Sequence, residues 1–236
     1  MIIYFVSGPY WTNKSFMKAH LIEDPIDDQP PQPIRIPGRK MAENWWGKAW
    51  DDNLESYSDY SNRLPRGRTY ARNGSIIDLR INEGFVEARV RGSAPYPYIV
   101  EIDIKPLSDE RKAAIAQRCA NRVQNIDALV RGQMPEDVAD LFRSRNGLFP
   151  SPSEISFRCS CPDWASMCKH VAAVMYGIGK RLDEQPMMFF SLRGIEVAEL
   201  VSKTVEEKIG LMLENSGKPS DRIIGDDELD DLFGRI

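Results

Sequence analysis

Twelve consecutive positions, Cys159-Ser160-Cys161-Pro162-Asp163-Trp164-Ala165-Ser166-Met167-Cys168-Lys169-His170, hold three thiols and an imidazole in the pattern C-x-C-x6-C-x-H. The 236-residue chain has one other cysteine, Cys119, and one other histidine, His20. Thiols crowded in this way read as metal ligands rather than as a disulfide scaffold. Zinc suits the set, because it has no directional d-electron preference and is satisfied by four soft or borderline donors placed tetrahedrally at about 2.0 to 2.3 Å. That requirement dictates local structure. With Cys159 and Cys161 on a strand end, the two-residue period puts both sulfurs on one face. Pro162 stops the strand, and the six residues before Cys168 let the chain reverse. Cys168 and His170 then fall in the first turn of a helix with Val171, Val174, Met175, Ile178 and Leu182 on its buried stripe. The N-terminus of that helix favours a thiolate at Cys168. The expected unit over residues 155–182 is strand, knuckle and helix, clipped by one structural Zn2+.

Two other uses of these residues are weaker. Three buried structural cysteines beside an incidental histidine would not need to be so concentrated. A catalytic zinc keeps three protein ligands and an open position for water, whereas four ligands here close the shell. Asp163 is the acid inside the loop and reads as turn-forming. No catalytic residue is assigned, and the chain is not expected to be an enzyme.

Elsewhere the pattern is that of an α+β protein, a small antiparallel β-meander with flanking helices and a ββα-like finger. The runs Ile76 to Ile81, Phe85 to Arg91 and Tyr98 to Ile104 alternate apolar and polar residues. Asn82-Glu83-Gly84 and Gly92-Ser93-Ala94-Pro95 separate them with turn chemistry, which predicts antiparallel neighbours. Trp46, Trp50 and Leu54 (or Asn53) have helical spacing. Ser108-Asp109-Glu110 starts a helix with Ile115, Cys119, Val123, Ile126 and Val130 on one stripe, Cys119 serving as a small buried hydrophobe. A shorter helix begins at Pro135-Glu136-Asp137 and buries Val138, Leu141 and Phe142. Ile195 to Lys203 and Val205 to Leu213 read as further helices, and the acidic stretch 226–233 as a mobile tail. His20 reads as a lone surface histidine. The segments are 1–39, an N-terminal extension and linker; 40–105, the tryptophan-rich segment and meander; 106–150, helical; 151–193, the finger; and 194–236, helices and tail.

No run approaches the ~18 apolar residues of a membrane span, and Met1 to Val6 lacks the flank and length of a signal peptide. The expectation is a soluble cytoplasmic protein with no membrane partner. A net charge of -4 does not identify a partner, so attraction to nucleic acid must come from local patches.

The finger pattern, with Cys-Pro-Asp-Trp after the first pair and Cys-Lys-His-Val-Ala-Ala at the second, resembles the SWIM zinc finger. Trp45-Trp46-Gly47-Lys48-Ala49-Trp50, Arg66 to Gly74, Pro97-Tyr98, Leu148-Phe149-Pro150 and Leu192-Arg193-Gly194 are similar to landmarks of bacterial SWIM zinc-finger family proteins, over about residues 40 to 195. The resemblance implies a zinc-binding module that contacts DNA or proteins, in a family often encoded beside a Swi/Snf-type helicase-like ATPase. It transfers the four metal ligands and no DNA-contact surface.

The candidate nucleic-acid contacts are Arg63, Arg66, Arg68 and Arg72, with Tyr70 interleaved, plus Arg158 and Lys169 beside the ligands. Arginine forks suit phosphate and an aromatic ring can stack on an unpaired base. A solvated loop folding onto the acids of 51–59 explains the arginine run equally well, and Arg158 and Lys169 could instead hydrogen-bond to zinc-bound sulfur. Arg80, Arg89 and Arg91 alternate with apolar positions on the predicted strands and could extend the same basic face, although a solvent-facing strand side explains them as well. Trp164 reads as a knuckle core residue rather than a stacking platform. The expected partners are therefore nucleic acid, with DNA the expected form, and a helicase-like ATPase. The alternative is a protein-interaction subunit with no nucleic-acid contact.

Overall fold

The computed structural model describes residues 29–56, 62–122, 134, 136–144, 147–196, 198, 202, 205, 206, 209, 210 and 212–214. The three alternating runs form β1 (Ile76–Asn82), β2 (Phe85–Val90) and β3 (Tyr98–Ile104). The turn between β1 and β2 uses Gly84 at φ 64°, the left-handed region that a tight hairpin needs and glycine tolerates. A fourth strand, β4 (Ile155–Cys159), pairs antiparallel with β3, giving the order β1-β2-β3-β4. The finger's strand is thus the last strand of the meander's own sheet. Its register sets Cys159 opposite Val100.

Val86, Ala88, Val90, Val100, Ile102 and Ile104 line the buried face of the sheet. The helices are α1 (Trp45–Glu55), α2 (Leu64–Arg72), α3 (Asp109–Arg122), α4 (Ala139–Arg143), α5 (Lys169–Glu184) and α6 (Met188–Leu192). Trp46, Trp50 and Leu54 of α1 are buried at the predicted spacing, as are Val138, Leu141 and Phe142 around α4. On α5 the expected Val171, Val174, Met175, Ile178 and Leu182 are all buried, but burial extends well beyond them. Every residue from His170 to Gly179 is buried, so the helix has no narrow apolar stripe. It touches α1, α2 and the sheet together, and a helix enclosed on all sides must be apolar or small all round. Gly67 of α2 permits the closest of these contacts: a Cβ there would lie 2.5 Å from the Ala172 Cβ.

The edge of β1 is covered by residues 32–34. Ile34 N–H donates to the Ile76 carbonyl (3.1 Å) and Leu79 N–H to the Gln32 carbonyl (3.1 Å). Gln32 N–H donates to Asp78 Oδ1 (2.8 Å). This strap corrects the reading of Arg80 as part of a basic face. Arg80 is buried, ion-paired to Asp78 at 3.0 Å and bonded to the Pro30 carbonyl at 2.7 Å.

Leu192-Arg193-Gly194 closes the other end. Arg193 is 1% exposed; its Nη1 donates to the Lys105 carbonyl (2.7 Å) and its Nη2 to Glu154 Oε1 (3.0 Å). Arg111 Nη1 shares that carboxylate oxygen at 3.0 Å. Burial pushes the Glu154 carboxyl up, but the Ser151 N–H, Arg193 and Arg111 outweigh it and hold the group at about 2.

Asp51 of α1 shows the opposite balance. Burial first, then the neighbouring Glu55 and Asp52, raises its carboxyl from 3.8 to about 8. Across that window the folded chain holds a proton that the unfolded chain has released, so stability falls as pH rises, by up to about 1.4 kcal/mol per pH unit. The Asp51→Asn variant is expected to lose this slope and to gain on the wild type steadily from pH 4 to pH 8. Urea melts of both proteins over the range check it; parallel curves would contradict it.

Val123, Ile126, Val130, His20, residues 1–28, the Cys119 side chain and the tail 226–233 lie outside the described residues. From Ala198 onward, the described positions up to Leu213 are helical. No described helix is long and apolar enough to cross a membrane.

Candidate metal centre

β4 ends at Cys159, but backbone pairing continues one residue further. Ser160 N–H donates to the Ile99 carbonyl (3.0 Å), and Ser160 Oγ accepts from Ile99 N–H (2.9 Å). Extended pairing through Ser160 keeps Cys159 and Cys161 on one side of the strand. The chain then turns. Asp163 Oδ1 accepts the Ala165 N–H at 3.2 Å, and Asp163 Oδ2 lies 3.1 Å from Arg63 Nη1 at the start of α2. Cys168 caps α5 with extended backbone, and its Sγ accepts the Val171 N–H at 3.5 Å. His170 follows in the first turn.

The four ligand atoms lie within 4.8 Å of one another. His170 Nδ1 is 3.9 Å from Cys159 Sγ and 3.8 Å from Cys168 Sγ. A tetrahedron with bonds of about 2.3 Å to sulfur and about 2.0 Å to nitrogen has edges of about 3.5 to 3.8 Å. Small side-chain movements therefore close the shell, and these residues fit one metal ion. Three sulfurs and one nitrogen are a donor set found in four-coordinate structural sites.

The imidazole is oriented by packing. Nδ1 faces the sulfurs, while Nε2 is buried without a hydrogen-bond partner among the described residues. The ring is 3% exposed, lies against Tyr98 at 4.4 Å between centroids, and meets the edge of Tyr70 at 5.3 Å. Gly92 makes room for this stack, since a Cβ there would be 2.5 Å from Tyr98 and 2.9 Å from His170 Nε2.

Cys168 is the sulfur most easily ionised. The Cys159 thiol donates to it, and His170 and the Val171 N–H add to this against the effect of burial, bringing it down to about 4. Cys159, the donor in that bond and itself half-buried, is pushed up. Burial also raises Cys161. Metal uptake near neutral pH must then displace protons from Cys159 and Cys161.

The predicted cationic contacts do not form one surface. α2 carries the arginine run on a helix rather than a loop. Arg63 is held by Asp163, and Arg68 pairs with Glu55 and donates to the Tyr176 hydroxyl (3.1 Å). Arg158 sits on the outer sheet face, bonded across strands to Glu101 (2.7 Å) and Asp103 (3.1 Å), and neither points beyond the finger freely nor donates to sulfur. Arg66 and Arg72 are exposed, and Lys169 Nζ lies 5.2 Å over the Tyr70 ring. Arg72 donates to the Arg39 carbonyl, and Arg91 N–H to the Ser75 carbonyl (2.7 Å), which brings exposed Arg39 and Arg91 beside the end of α2. Sequence reasoning missed Arg39, for which the signal was the Arg39-Lys40 pair just before the tryptophan segment. It also misplaced Trp164, which is 93% exposed and is no core residue.

No family model matches the chain. It is similar to the uncharacterized protein Rv2102 of Mycobacterium tuberculosis, at 37% identity over 164 residues that cover 69% of this chain and 59% of that protein. The chain thus spans about three-fifths of the relative's length. No solved structure matches it.

Proposed function

We propose that the chain is a zinc-binding accessory protein of the SWIM type that binds nucleic acid, with DNA the expected form, alongside a Swi/Snf-type helicase-like ATPase. The observation that supports this most is a set of cations with no carboxylate partner among the described residues: Arg39, Arg66, Arg72 and Arg91 on or beside α2, and Lys169 at the start of α5. Such cations can release counterions from phosphates, the main source of affinity for nucleic acid. The closed donor shell favours binding over catalysis.

Affinity for a DNA duplex measured against salt concentration tests the reading. Five phosphate contacts give a log–log slope of about -4.5, and the Arg66→Ala, Arg72→Ala double variant is expected to reduce it by about 2 while weakening binding to all sequences alike. Absent or salt-insensitive binding overturns the proposal. The net charge of -4 favours a second reading, a protein-interaction subunit. A protein partner retained after nuclease treatment of the native complex would support that one.

A further inference from the structure

We infer that Trp164 is a stacking platform for an unpaired base, so that the finger binds single-stranded nucleic acid through this ring together with the free cations of α2 and α5. This rests on the nucleic-acid reading above and goes beyond it in naming the strand state and the residue.

Trp164 is 93% exposed, although it lies inside a twelve-residue metal loop bounded by buried groups. Met167 and Cys168, three and four residues later, are each 1% exposed. The residue before it is anchored as well, because Asp163 is held by Arg63 and accepts the Ala165 N–H. The backbone on both sides of the tryptophan is thus anchored, and it presents the ring to solvent. A large apolar ring on an anchored turn binds with little backbone left to order, and its side chain has only two torsions to fix.

The surroundings select the occupant. The Arg63–Asp163 pair joins the knuckle to the start of α2, and Arg66 lies one turn further along the same helix face. Tyr70 follows one turn later with Lys169 over its ring. An exposed ring on a knuckle that Arg63 ties to the cation-bearing α2 suits a ligand that carries π faces and phosphates together. Single strands offer both, whereas a duplex keeps its base faces stacked inside.

The experiment uses the full-length, metal-loaded protein and fluorescence anisotropy with labelled oligo(dT) and oligo(U) of about 12 nucleotides and the matching duplex. Trp164→Ala is expected to lower single-strand affinity about tenfold and to leave duplex affinity, metal content and melting temperature unchanged. Trp164→Phe, which keeps a ring, should restore most of the loss. Oligo(dT) and oligo(U) respond alike if stacking alone is read. Unchanged single-strand affinity in Trp164→Ala, with affinity still lost in the Arg66→Ala, Arg72→Ala variant, overturns the platform and leaves the proposed function standing. Failure of the wild type to bind any nucleic acid overturns both, as does a protein partner captured through Trp164 in its place.

Discussion

Replacing Cys161 with serine is expected to abolish metal binding and lower the thermal midpoint sharply, because an ion held by Cys159, Cys161, Cys168 and His170 would join β4 to α5. β4 is locked to β3 through its register, and α5 is buried along its length between α1, α2 and the sheet. Metal binding in small zinc domains is worth roughly 10 to 16 kcal/mol, and much of it is folding free energy. A domain's whole stability is about 5 to 15 kcal/mol. The core here is large enough to retain some order alone, so the expected loss is several kcal/mol rather than complete unfolding. The direction with pH also follows. With Cys159 and Cys161 raised, protons compete with the metal, and the metal's contribution weakens as pH falls. Metal content by mass spectrometry and melts by circular dichroism check this. A variant that keeps both its ion and its midpoint would contradict the assignment.

The second large effect is expected far from the metal. Arg193→Ala should cost about 3 kcal/mol, the low end of the range for removing one partner of a buried ion pair. The guanidinium is 1% exposed and is shared between the Lys105 carbonyl and the Glu154 carboxylate, so its loss leaves both acceptors short of a donor. Arg111 would remain on Glu154, which keeps the damage below that of a fully orphaned charge. Because the Glu154 carboxyl lies at about 2, the pair is intact at neutral pH and weakens only in strong acid. Denaturant unfolding at neutral pH would show the loss, and a change under about 1 kcal/mol would mean the network is dispensable.

What could be read from the sequence was what local rules govern. Alternation placed β1, β2 and β3 to within a residue or so, and helical spacing identified the buried face of α1. The ligand spacing placed Cys168 and His170 at a helix start, because a tetrahedral ion leaves few alternatives. The rest depended on distant partners. Nothing local says that β4 should pair with β3 across some fifty residues, or that α5 is enclosed on every side. The arginines show the same limit. Arg66 and Arg68 are two positions apart, yet one is exposed and the other is tied to Glu55 and Tyr176, contacts that arise only when α1, α2 and α5 come together. Trp164 was misjudged because large aromatic rings are usually buried, and a metal loop can hold one outside against that tendency.

The strap over β1 bears on how the molecule meets copies of itself. An open sheet invites other molecules to add strands at its rim, and many proteins spend charges or prolines to prevent it. Here Gln32 and Ile34 already occupy the hydrogen-bonding groups of Ile76 and Leu79. Arg181 from α5 fastens the strap by donating to Gln32 Oε1 at 2.6 Å. An incoming strand would have to peel away a segment secured from two directions, so self-association along that rim is blocked by the chain itself.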